Sequence, residues 1–247
     1  MWGGNLPSRR RLFYSGVTGL AVTLGGNLGG VTSGLLGLNP EASRQLKLDT
    51  LFPVKGFKRC IESGQGFEFI YPAEWLGDQR LLYRAVERAE QSRSLDLPPI
   101  RRNGGRNRTE PIVAFGPAAG SGELNVSVVV APIAPGFRLQ SLGSPVEAGQ
   151  KILDNVIARE GSGKTADLLK ADATPEGKYY TLEYTVRTSE WYRHNVSVYA
   201  TQNDQLYSIN VMCPEAEWER RKEQLRTTAA SFRVTKSLPV NTFAERL

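Results

Sequence analysis

The chain has 247 residues, of which 40% are hydrophobic and 23% charged, and its formal net charge is +6. That length and composition exclude a disordered chain and suit one domain with a real core plus a terminal extension. Two cysteines and a single histidine exclude a four-cysteine zinc site, a disulfide-dense scaffold and a multi-histidine metal centre.

The first 43 residues differ in composition from the rest. Arg9, Arg10 and Arg11 precede a weakly apolar, glycine-rich and uncharged run from Val17 to Leu38. Glycine adds little transfer energy and weakens a helix by roughly 1 kcal/mol per residue, so this run makes a poor membrane span. Paired arginines ahead of a mildly apolar stretch have the form of a twin-arginine export signal, and residues 1–43 are read as a targeting segment. Residues 44–55 follow as a linker, 56–235 as the folded domain and 236–247 as a C-terminal tail. Cys60 precedes the first core strand and Cys213 closes the last, so a bridge between them stands as an alternative to two buried thiols.

The segment Gly66-Phe-Glu-Phe-Ile-Tyr-Pro72 alternates as a strand that Pro72 ends, and Trp75 is placed to anchor one edge of the core. A weakly helical stretch runs from Asp78 to Arg93. The Pro, Gly and Arg density of Leu97–Arg108 then marks an exposed loop. Two further strands are expected at Pro111–Phe115 and Leu124–Ala131, the second apolar enough to lie centrally. Ser144, Pro145 and Glu147 open a helix with a capping box, whose inward face is Ile152, Leu153 and Val156 and whose stop is Gly161. Tyr179–Arg187, Trp191–Ala200 and Gln205–Met212 are rich in β-branched and aromatic residues and are separated by short polar breaks. They read as consecutive antiparallel hairpins. The last helix starts at Pro214 and buries Trp218, Leu225, Ala229 and Phe232 in one stripe, with its glutamates near the positive end of the dipole.

Few of these residues carry the marks of chemistry. Ala158–Thr165 ends in Gly163-Lys164-Thr165 like a phosphate loop, yet it trails a helix and leads into a strand, the reverse of the context such a loop needs. His194, on a hairpin strand, reads as a surface or rim residue. Glu183 and Asp204 are spaced as in any soluble protein and form no acid and base pair. The basic surplus gathers between Arg80 and Arg108. Within it Arg93, Arg101, Arg102, Arg106 and Arg108 lack the interleaved aromatics on which bases stack, so they read either as a solvated loop or as contacts to an acidic protein surface, and not as a grip on nucleic acid. These arginines and His194 are the candidate partner-binding residues. A rival reading is a small-ligand or metal-binding enzyme at the sheet edge near Trp75, Tyr192 and His194.

Taken together, Gly66–Trp75, Asn125–Val130, Gly143–Glu147, Tyr179–Tyr184, Arg193-His-Asn195, Gln205–Ser208 and Trp218–Val234 resemble the PsbP-domain family in order and spacing over most of the domain. The resemblance implies an α+β fold, an α/β/α sandwich around a central antiparallel sheet. It implies no enzyme and no cofactor of the chain's own. It further implies a chloroplast thylakoid lumen protein, peripheral to the membrane, that docks on photosystem II or photosystem I subunits. There such proteins assist assembly, stability or the retention of calcium and chloride. The arginine-rich insert at Leu97–Arg108 and the absence of a lysine-rich N-terminal docking segment favour a PsbP-like paralogue over the stoichiometric photosystem II subunit.

Overall fold

A computed structural model describes residues 23, 25–78, 81, 110–118 and 122–236 of the chain. The expected export signal around Arg9–Arg11, the helix at Asp78–Arg93 apart from Asp78 and Leu81, the arginine-rich loop and the C-terminal tail beyond residue 236 lie outside those residues. Two compact units divide at Cys60 and Ile61.

In the first unit, α1 spans Val31–Leu38 and α2 spans Pro40–Gln45. The Asn39 side chain accepts the Ala42 N–H at 3.1 Å, and Pro40 opens α2 where no amide is needed. The stretch expected as a linker is structured instead: a 3₁₀ turn covers Leu48–Thr50, and strand β1 begins at Phe57 and runs to Glu62. Its anchor is an ion pair that no hydrophobic pattern could announce. Arg59 donates to Asp49 Oδ1 from Nη2 at 2.8 Å and from Nε at 3.1 Å, and also to the Arg44 carbonyl at 2.6 Å.

The second unit is organised by one sheet. Its strands are β3 (Trp75–Gly77), β4 (Val113–Pro117), β5 (Asn125–Pro132), β6 (Thr165–Ala173), β7 (Tyr179–Arg187), β8 (Tyr192–Gln202) and β9 (Gln205–Pro214). They pair antiparallel throughout, in the order β3-β4-β5-β9-β8-β7-β6. The two C-terminal hairpins, β7–β8 and β8–β9, stand as expected. Asn203 and Asp204, both at positive φ, make the two-residue turn from β8 to β9, the geometry that matches strand twist. The apolar run in β5 is internal, while the middle place belongs to β9, which pairs with β5 and β8 at once. Strand β2 (Phe67–Pro72) pairs separately with β10 (Arg233–Val234).

Successive residues of a strand face opposite sides, so each side of the sheet takes its own helix. Tyr180, Leu182, Tyr184 and Val186 of β7 form one buried cluster with Ala148 and Leu153, which belong to α3 (Pro145–Ile152) and the turn after it. Ser144 caps α3 with the expected box: its Oγ accepts the Glu147 N–H at 3.3 Å, and Glu147 returns a bond to the Ser144 N–H at 2.8 Å. One expectation fails here. Residues Leu153–Ile157 wind as a single π turn, which rotates the following side chains by one position. Val156 is therefore 71% exposed and not inward, and Ile157 packs on the cluster in its place.

The other side carries α4 (Glu215–Ala230). Trp218, Leu225, Ala229 and Phe232 are all buried, as their spacing predicted. By register Cys213, Val211, Ile209 and Tyr207 of β9 lie beside Val126 and Val128 of β5 on this side. Phe67 and Phe69 of β2 are fully buried next to Phe232 and Phe115, and Trp75 is 3% exposed at the β3 edge. Neither Cys60 nor Cys213 is in a disulfide, so that alternative is set aside.

Candidate functional site

His194 is the residue the sequence misplaces. It sits on β8 on the side that α4 covers, and it is 2% exposed, buried and not on a rim. Its imidazole lies between two carboxylates: Nε2 is 3.1 Å from Glu183 Oε1 on β7, and Nδ1 is 2.9 Å from Glu215 Oε2 in the first turn of α4. A neutral ring has one N–H and can donate to only one of them. Both bonds form together when the ring carries a proton on each nitrogen. Stacking on Trp218, with centroids 3.5 Å apart and planes 8° from parallel, fixes the ring's orientation.

Glu183 is held from its other side by Arg226 of α4, which donates from Nη2 at 2.8 Å and from Nε at 3.1 Å. Burial alone would push the Glu183 carboxyl up, but hydrogen bonds from Arg226 and His194 overcome it and hold the group below the ordinary carboxylate range. The same Glu183 contact raises Arg226, whose guanidinium also sits 5.1 Å from the Trp218 ring centroid. Glu183, Glu215, His194 and Arg226 thus close a hydrogen-bonded network between β7, β8 and α4. The signal for it was present: Glu183 alternates onto the same face of β7 as Thr181 and Thr185, where a charge needs a partner.

What this arrangement does chemically is limited. Cys213, directly opposite His194 in register, has its thiol pushed up to about 12 by burial and by Glu215 and Glu217, so it is no nucleophile. Glu183 is already engaged by Arg226, and Glu215 by the His194 ring. Among the described residues, no group of three or more His, Cys, Asp or Glu is arranged to hold a metal ion. A cleft of about 360 Å³ beside the network is lined by Lys170, Asp172, Thr181, Glu183, Val196 and Arg226. It meets the network at its salt-bridged side and not at a free reactive atom.

The rival enzyme site does not assemble. Trp75 lies on β3 and His194 on β8, four strand steps apart in the sheet, or about 19 Å at the usual strand spacing. Tyr192 shares a face with His194 but projects at the hairpin end. Of the candidate partner-binding residues, Arg93, Arg101, Arg102, Arg106 and Arg108 lie outside the described residues, and His194 is interior. The arginine and aromatic contacts that the sequence reading missed, one exposed and one half-buried, belong to the β7–β8 hairpin. The guanidinium of Arg187 lies 4.3 Å from the Tyr192 ring centroid, and that of Arg193 lies 3.9 Å from Trp191. Adjacent basic and aromatic residues at a strand turn were the available signal.

Comparison with known proteins agrees with this architecture. A family model described as PsbP matches residues 55–234. The chain is 45% identical over 233 residues to PsbP domain-containing protein 7, chloroplastic, of Arabidopsis thaliana, covering 91% of this chain and 82% of that protein. It is 31% identical over 187 residues to CyanoP of Thermosynechococcus vestitus, covering 72% of this chain and 86% of that one. The solution structure of CyanoP from Synechocystis sp. PCC 6803 superposes with a TM-score of 0.51 at 24% identity, over 74% of this chain and 94% of its own. That likeness concerns the fold.

Proposed function

The chain belongs to the PsbP family, and on that premise we propose that it is a non-catalytic protein of the chloroplast thylakoid lumen that docks on a photosystem and assists its assembly or stability. The observation that carries the non-catalytic part is the closed charge network at His194. The chain's single histidine is buried, bonded at both nitrogens and stacked on Trp218. Such a group holds a helix on a sheet and is closed to a substrate. Among the described residues, no helix is long and apolar enough to cross a membrane, which supports a peripheral mode of attachment. The relatives named as chloroplastic support the compartment.

The net positive charge favours a partner with acidic lumenal surface. Affinity purification of the tagged chain from detergent-solubilised thylakoids tests the reading. Photosystem subunits are expected in the eluate, and their absence from an eluate that still holds the bait would overturn it.

A further inference from the structure

Arg187 closes β7 directly opposite Tyr192, the first residue of β8. The two share the face of the sheet that α4 covers further along, but they stand beyond the His194 network at the hairpin end. Arg187 is exposed, Tyr192 is 36% exposed, and the guanidinium lies over the phenol ring at 4.3 Å. Among the described residues no carboxylate is paired with Arg187, nor with exposed Lys164, the residue before Thr165, which is Arg187's partner on β6. Several other arginines already have a carboxylate partner. Arg193 is paired with Glu123 at 2.9 Å, and Arg220, Arg221 and Arg226 of α4 are each paired with a glutamate.

The hairpin that presents Arg187 is locked. Thr188 N–H donates to the Trp191 carbonyl at 2.9 Å, and Thr188 Oγ1 accepts from the N–H groups of Glu190 and Trp191 at 3.2 and 3.1 Å. A guanidinium already held over a tyrosine ring, at the end of a fixed turn, loses little freedom when it binds. Its remaining N–H edge matches a carboxylate in two-point geometry. Arginine and tyrosine are also the residue types that carry binding energy at protein contacts.

We propose that Arg187 and Tyr192 form the surface that takes a carboxylate-bearing segment of the protein partner. This rests on the docking reading above and names the contact it uses. A protein segment suits the tip better than an anionic membrane plane. Glu190 stands on the same turn, and a flat anionic sheet would press against it, whereas a single acidic side chain can meet the unpaired guanidinium of Arg187 alone.

The test is co-sedimentation of the full chain with salt-washed thylakoid membranes at low ionic strength, comparing wild type with Arg187→Glu, Arg187→Gln and Tyr192→Ala. Arg220→Glu on α4 serves as a charge control, and each variant's thermal unfolding is recorded. Because both residues are exposed, the melting curves are expected to match wild type. The surface is supported if Arg187→Glu weakens association by about tenfold or more, Arg187→Gln and Tyr192→Ala weaken it less, and Arg220→Glu leaves it unchanged. Wild type and all hairpin variants binding equally would overturn this surface and leave the docking reading standing. A wild type that does not associate at any salt would overturn the docking reading and the surface with it. Equal binding to protein-free vesicles of anionic thylakoid lipids, lost in Arg187→Glu, would assign the hairpin to the membrane and overturn the protein partner.

Discussion

The imidazole of His194 lies flat on the indole of Trp218, 3.5 Å centroid to centroid and 8° from parallel. This one contact joins β8 to the start of α4. It also aims the two ring nitrogens at Glu183 and Glu215, which come from different elements, so the helix is located by direction as well as by packing.

His194→Ala removes the stack and both hydrogen bonds and leaves Glu183 with Arg226 alone. Loss of a buried, doubly bonded group is expected to cost about 3 kcal/mol of unfolding free energy. Urea denaturation followed by tryptophan fluorescence measures it. A cost under about 1 kcal/mol would mean that the network does not hold α4 in place.

Stability should carry the mark of Glu183 on its acid side. Its carboxyl is held below the ordinary 4.5 despite burial, by Arg226 and His194. The unfolded chain therefore binds that proton more readily than the folded one. The contribution is complete above about 4.5 and is lost as the pH falls through the depressed folded value. In Glu183→Gln the denaturation midpoint is expected to fall less steeply over that acid range than in wild type. Identical slopes would contradict the assignment.

Cys213 is buried with its thiol pushed up to about 12, while Cys60 is partly exposed. At about pH 8, a thiol reagent should modify Cys60 in the folded protein and reach Cys213 only on unfolding. Rapid modification of Cys213 in the native state, located by peptide mapping of the labelled chain, would show an open and reactive site where the structure has a closed one.

How much of this was legible in the sequence depends on the range of the interaction. The capping box at Ser144 and Glu147, the turn at Asn203 and Asp204, and the buried stripe of α4 are local, and composition and spacing announce them. The pairing of β5 with β9 is set by contacts distant in the chain, and no local propensity ranks β9 as the middle strand. Val156 was misplaced because a π turn advances the helix by one residue, which heptad-like spacing cannot see. His194 was misplaced for a related reason: its burial depends on Glu183, Glu215, Trp218 and Arg226, which converge from two strands and a helix. Asp49, in the expected linker, and Arg59, ten residues further on, make the same point with a single ion pair.

The proposed docking is a reversible, charge-dependent contact at the lumenal face of a photosystem. The most direct measurement is the fraction of wild-type protein that pellets with thylakoid membranes as salt is raised from low concentration to about 1 M, where the Debye length shrinks to about 3 Å. Such docking requires binding at low salt and near-complete release at high salt. Protein that stays on the membrane throughout, or never reaches it, would contradict it.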